Sequence, residues 1–230
     1  MMRSWIALGS AITFLALAIS VDLGVLTAFD VMVRDWARPH DVWGPAQVRA
    51  DFVVEGMRPI MMAGLLTVFT LACCVRRRSM RPAAFVGVVG LSSATLAIAV
   101  KIAVNRPDPH GWVANHGGSF PSGHMISVTV CLGLVVLLAQ PRGGPLAWLV
   151  PAVSGGLMAV CLLLQAAHWS TDIVGGALLA TSVLAVASAQ RWRGWLHGSG
   201  QNDQASKVSG RSTESSFAVV CPGAPDSRAG

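Results

Sequence analysis

The sequence predicts an all-α protein, a six-span transmembrane helix bundle followed by a disordered C-terminal tail. Three observations predict it. Of 230 residues, 53% are hydrophobic and only 12% are charged, against about 25% charge in a soluble domain. The mean hydropathy is +0.58. Apolar runs recur at 5–21, 59–75, 83–104, 124–140, 146–167 and 172–190. A helix rises 1.5 Å per residue, so about 20 residues cross a hydrocarbon core of roughly 30 Å.

The first run follows Arg3 and ends beside Asp22, which reads as an interface residue. A basic residue, an apolar run and small residues also fit a cleaved signal peptide, but an even number of spans suits the charge pattern better. Next, Phe29, Val31, Met32, Val33 and Trp36 stud segment 29–37. That segment reads either as a short amphipathic helix on the bilayer surface or as an irregular loop. The remaining runs follow, separated by short polar stretches.

Orientation comes from the basic residues, which favour the cytoplasmic side. Arg3, then Arg76, Arg77, Arg78 and Arg81, then Arg142, then Arg191 and Arg193 fall on one side if six spans alternate. Arg34, Arg38, Arg49, Arg58 and Arg106 fall more sparsely on the other. Both termini are therefore expected in the cytoplasm of a multi-pass cell-membrane protein. The transmembrane domain is expected over 1–193, with its chemistry in 101–176. The stretch 194–230, rich in Ser, Gly, Asp and Gln without helical periodicity, reads as a disordered cytoplasmic tail. The richness in Ala, Val, Gly and Arg points to a bacterium with GC-rich DNA.

The net charge of +6 lies mostly in short Arg clusters between runs, and no aromatic-interleaved basic stripe suggests nucleic acid. Cys73, Cys74, Cys131, Cys161 and Cys221 form no C-x-x-C pair, and four of them sit inside apolar runs. They read as small hydrophobes rather than a disulfide frame or metal site.

Three polar segments far apart in sequence reach one membrane face in this topology, the extracytoplasmic one. They are Lys101-Ile-Ala-Val-Asn105-Arg106-Pro107-Asp108-Pro109, Ser119-Phe120-Pro121-Ser122-Gly123-His124 and His168-Trp169-Ser170-Thr171-Asp172. Lys101 and Arg106 are cations suited to a phosphate, and an ionisable group inside an apolar run needs a partner. Gly123 stands where a helix starts, and the backbone N–H groups there favour an anion. Ser122 adds a hydroxyl donor or caps that helix. Asn105, near Pro107, suits a turn better than an amide donor.

On a helical backbone His168 and Asp172, four apart, share a face. The carboxylate would fix the imidazole tautomer and leave the other nitrogen nucleophilic. His124 would protonate the leaving oxygen and later activate water. The expected chemistry is phosphoryl transfer through a phosphohistidine, with no metal or cofactor required. Each piece has a plainer reading. Pro-Ser-Gly-His can be a turn and cap, His-x-x-x-Asp a cap pair, and Lys101 a snorkelling cation. Their convergence on one face favours the catalytic reading. His40, His110, His116 and His197 read as solvated, and Trp169 as an interfacial belt residue.

These segments resemble the type 2 phosphatidic acid phosphatase superfamily, which includes lipid phosphate phosphatases, bacterial undecaprenyl pyrophosphate phosphatases and, more distantly, vanadium haloperoxidases. The family pattern has K-x6-R-P, P-S-G-H and S-R-x5-H-x3-D segments. The middle one matches in full, and the resemblance runs from Lys101 to Gly176. It implies His168 as nucleophile, Asp172 as its orienter and His124 as general acid, with Lys101, Arg106, Ser122 and Gly123 on the phosphate. The implied protein is a metal-independent hydrolase of a lipid phosphate or pyrophosphate monoester.

Two departures stand out. Asp108 occupies the place of the first segment's arginine, leaving Arg106-Pro107 two residues earlier. Cys161 and Leu162 replace the Ser-Arg pair of the third, with Gln165 one turn on as a weaker candidate donor. Losing one such donor typically costs about 2.7–4 kcal/mol of transition-state binding. A catalytically weak or inactive relative that binds phospholipid is therefore the alternative. A small transporter using Lys101 and Asp172 as intramembrane charges is another, although no Gly- or Pro-broken pair of segments suggests an inverted repeat.

Overall fold

The computed structural model describes residues 2–113, 117–140 and 144–188. The helices in them are α1 (Met2–Asp22), α2 (Thr27–Ala37), α3 (Pro45–Gly56), α4 (Pro59–Arg77), α5 (Arg81–Val104), α6 (Gly123–Ala139), α7 (Leu149–Leu164) and α8 (Ser170–Ala187). Single 3-10 turns at Pro39–Asp41 and Pro145–Trp148 lead into α3 and α7. The six predicted apolar runs correspond to α1 and α4 through α8. The expected tail, Arg142, Arg191, Arg193, His116, His197 and Cys221 lie outside the described residues.

Among the described residues five helices, with α7 counted together with its leading turn, are long and apolar enough to cross a membrane; α6 is shorter. Ile60, Leu65, Val68 and Val75 on α4, and Leu91, Ile98 and Ile102 on α5, point away from the bundle. So much outward apolar surface suits lipid as the solvent, and the protein is a multi-pass membrane protein.

α6 is the central helix and packs on α4, α5, α7 and α8. Its Val128, Leu134 and Leu138 are fully buried. Its 17 residues give about 25 Å, less than a full span. The chain leading into α6 packs on the end of α5. There Gly118 N donates to Lys101 O at 3.0 Å, and Ser119 N to Arg106 O at 2.7 Å. Gly117 has φ +98, and a Cβ on it would lie 2.8 Å from the Lys101 carbonyl carbon. Only glycine admits so close a backbone approach.

α1 lies along α8, with Ser182 Oγ donating to Ser10 Oγ at 2.9 Å. Phe14 and Val21 bring it into the main core.

α2 resolves the two readings of segment 29–37 in favour of a helix. Phe29, Met32 and Trp36 face outward, and Asp30 faces in. α3 is a helix the sequence did not signal. Pro45 starts it, at the position where a missing N–H costs nothing. Its Ala50 and Val54 pack with Met158 and Leu162 of α7 in a second core.

Candidate active site

α5 ends at Val104, and Asn105 turns the chain with φ +44. This is the turn role expected of it. α6 begins at Gly123, with Ser122 as its N-cap: the Ser122 hydroxyl accepts from Met125 N at 3.4 Å. Ser122 N donates to the Asp172 carbonyl at 2.9 Å, which ties this cap to α8. Gly176 makes that approach possible, since a Cβ there would sit 2.8 Å from Ser122 O.

His168 is not on a helix, contrary to the condition set on its pairing with Asp172. α7 stops at Leu164, Ala166 takes φ +51, and α8 begins at Ser170. The pair nevertheless meets, because the turn swings the imidazole over the first turn of α8. His168 Nδ1 lies 3.5 Å from Asp172 Oδ2, in ion-pair range but longer than a good hydrogen bond. Such contacts often tighten only when substrate is bound.

His124 and His168 stand edge to face with ring centroids 6.2 Å apart. Both line a pocket of about 310 Å³ with Lys101, Asp108, Trp112, Ser119 and Ala167. Lys101 Nζ reaches the carbonyls of Gly118 at 2.8 Å and Ser119 at 3.2 Å. These bonds hold the ammonium at the pocket wall, one turn inside α5. Asp108 turns Oδ1 onto the N–H groups of His110 and Trp112, both at 2.9 Å. His40 and His110 are exposed, as expected, and line a separate polar cavity with Arg34 and Arg38.

Arg106 sits differently from a phosphate-facing cation. Its Nη1 donates to Thr171 Oγ1 at 2.7 Å and Asp172 Oδ1 at 3.0 Å, and its Nη2 donates to Asp30 Oδ2 at 2.7 Å. Its side chain is 11% exposed. Trp169, expected in an interfacial belt, covers this guanidinium at 5.1 Å and donates Nε1–H to Pro107 O at 2.9 Å.

Asp30 was not among the candidates. It is fully buried on α2 and accepts from Ser170 Oγ at 2.6 Å, Thr171 N at 3.0 Å, Thr171 Oγ1 at 2.6 Å and Arg106. Burial alone would raise its pKa. The bonds from Ser170, Thr171 and Arg106 outweigh that and hold it below the usual carboxylate range. A sequence signal existed: an acidic residue between Phe29 and Val31 needs a partner if that face is buried.

Gln165 and Leu162 lie outside the lining of this pocket. Gln165 offers nothing to the pocket, because its Nε2 donates to Asp51 on α3 at 2.7 Å and its carbonyl accepts from Arg38 at 2.7 Å. Leu162, where the resemblance places an arginine, is 0% exposed. It packs in the second core with Ala50 and Val54 of α3.

An apolar bundle with two histidines, a lysine and a fixed carboxylate converging at one end is an integral membrane protein carrying an ionisable site. Comparison with known proteins supplies the family. The sequence profile of the PAP2 superfamily matches residues 81–196, and the chain belongs to that superfamily. Among solved structures, a transmembrane PAP2-type phosphatidylglycerolphosphate phosphatase from Bacillus subtilis shares the fold. The TM-score is 0.67 at 16% identity, covering 79% of this chain and 94% of that one. No curated protein sequence matches the chain.

Proposed function

We propose that the protein is a phosphatase that hydrolyses a lipid phosphate or pyrophosphate monoester at the extracytoplasmic face, through a phosphohistidine and without a metal. The observation that carries this reading is the placement of His168, with Nδ1 toward Asp172 at 3.5 Å and its ring 6.2 Å from that of His124. Asp172 lies on the Nδ1 side, 3.5 Å away, which leaves Nε2 as the nucleophile. It attacks phosphorus, the P–O bond to the leaving group breaks, and His124 gives its proton to the departing oxygen. Water then loses a proton to His124 and attacks phosphorus. The P–N bond breaks and inorganic phosphate leaves. Lys101 stabilises charge on the equatorial oxygens, with the N–H groups at the start of α6 behind it.

Membership of the superfamily and the membrane-spanning bundle support a lipid substrate. The basic clusters support cytoplasmic termini and an extracytoplasmic pocket. The test is phosphate release from phosphatidic acid, phosphatidylglycerol phosphate and a polyprenyl pyrophosphate, with and without EDTA, by wild type and His168→Ala. Release that is insensitive to EDTA and abolished in the variant is expected; release unchanged in the variant defeats the mechanism.

The buried Leu162 and the engaged Arg106 favour a second reading, a weak or inactive relative that binds phosphate lipids. Lipid binding without turnover of any substrate in that panel is its signature.

A further inference from the structure

We infer that Asp30 is a positioning residue of this site, anchoring Arg106 and the first turn of α8 so that Asp172 stays fixed behind His168. The inference rests on the phosphatase reading above.

Asp30 lies on α2, outside the matched segment 81–196, and 140 residues before Ser170, which it binds. Its four hydrogen bonds occupy both oxygens: Oδ1 takes Ser170 Oγ and Thr171 N, while Oδ2 takes Thr171 Oγ1 and Arg106 Nη2. Asp30 is thus a cap supplied from another helix. A carboxylate at a helix N-terminus is favoured by its free N–H groups and macrodipole.

Thr171 links the pieces. Its hydroxyl accepts from Arg106 Nη1 and donates to Asp30. The same Nη1 holds Asp172 Oδ1. With Oδ1 held, Oδ2 is left to Trp169 N at 3.1 Å and to His168. One guanidinium therefore sits between two buried carboxylates, and Asp30 keeps it from rotating toward the pocket.

This assigns Arg106 the orientation of Asp172 rather than direct phosphate contact. It also explains why a carboxylate is placed where no substrate reaches it: Asp30 is 0% exposed and lines none of the described pockets.

The experiment compares wild type, Asp30→Asn, Asp30→Glu, Thr171→Val and Asp35→Asn as purified full-length proteins, on the lipid that wild type turns over best. Expected for Asp30→Asn is a kcat at least ten-fold lower with KM within two-fold of wild type, and a displaced acid limb of kcat against pH. Asp30→Glu restores part of the loss. Asp35→Asn, exposed on the same helix, leaves kcat unchanged. Thr171→Val, which removes only the bridging hydroxyl, lowers kcat several-fold at constant KM and serves if Asp30→Asn is not recovered folded. Wild-type kcat and pH profile in both Asp30→Asn and Thr171→Val overturn the inference alone. A wild type that releases phosphate from no lipid defeats the phosphatase reading, and this inference with it.

Discussion

The imidazoles of His124 and His168 face each other edge to face, 6.2 Å between centroids, across a pocket that Lys101 also lines. That separation is on the scale of a phosphoryl group with reacting atoms at about 3 Å. The proposed roles, His168 as nucleophile and His124 as acid, separate kinetically. His124→Ala is expected to lower kcat about 10²–10⁴-fold on an alkyl phosphate, because leaving-group protonation is lost. On an aryl phosphate with a good leaving group the first step needs little acid help, so His124→Ala accumulates an acid-labile, base-stable phosphoenzyme. Rapid-quench labelling measures it. A label that also appears in His168→Ala removes His168 from the nucleophile role.

Lys101 has its ammonium on the carbonyls of Gly118 and Ser119, so its position is fixed before substrate arrives. Preorganised charge of this kind stabilises the transition state more than the ground state. Lys101→Met is expected to lower kcat about 10²–10³-fold, or roughly 2.7–4 kcal/mol, and to weaken inhibition by orthovanadate as a phosphate mimic. A change confined to KM assigns Lys101 to uniform substrate binding instead.

The parts of this site that were legible in the sequence are those whose chemistry is local. Ser122-Gly123 announces a cap and a helix start, and α6 begins there. Lys101 in an apolar run announces a partnered charge, and its partners are two carbonyls one loop away. The apolar runs of α4 through α8 follow from length and hydropathy alone. What stayed hidden depends on tertiary pairing. Nothing near Arg106 reveals that Asp30 will claim it across 76 residues. Nothing near Gln165 reveals Asp51 across 114. α3 was missed because only Ala50 and Val54 are buried in it, too sparse an apolar pattern to stand out against a loop. The turn at His168 was missed because the positive φ falls on Ala166, a residue that gives no warning of it.

Asp30 makes an acid-side stability prediction. Its carboxyl is held below the usual range by Ser170, Thr171 and Arg106, against burial. A depressed folded-state pKa contributes stability that is present above the unfolded value, about 4, and is lost as pH falls through the folded value. The melting temperature of wild type should exceed that of Asp30→Asn at neutral pH, and the gap should narrow as pH is taken below about 4. A gap independent of pH assigns the difference to packing rather than to the charge.

Leu162 decides whether the site can be rebuilt toward the arginine pattern of the superfamily by one substitution. Its side chain is 0% exposed and surrounded by Met158, Val128 and the Ala50 and Val54 face of α3. α3 therefore occupies the route an arginine side chain would need. An unpaired guanidinium in that core costs several kcal/mol, and its nearest polar neighbour by sequence, Gln165, is already bonded to Asp51. Leu162→Arg alone is expected to lower the melting temperature in detergent and to leave turnover no higher than wild type. Leu162→Met, similar in volume, should cost less than about 1.5 kcal/mol. An arginine variant that stays as stable as wild type and turns over faster shows that α3 yields, and that the leucine is only a missing donor. A collapse confined to the arginine variant shows instead that the α3–α7 core was built around an apolar side chain, so that phosphate binding must rely on Lys101 and the start of α6.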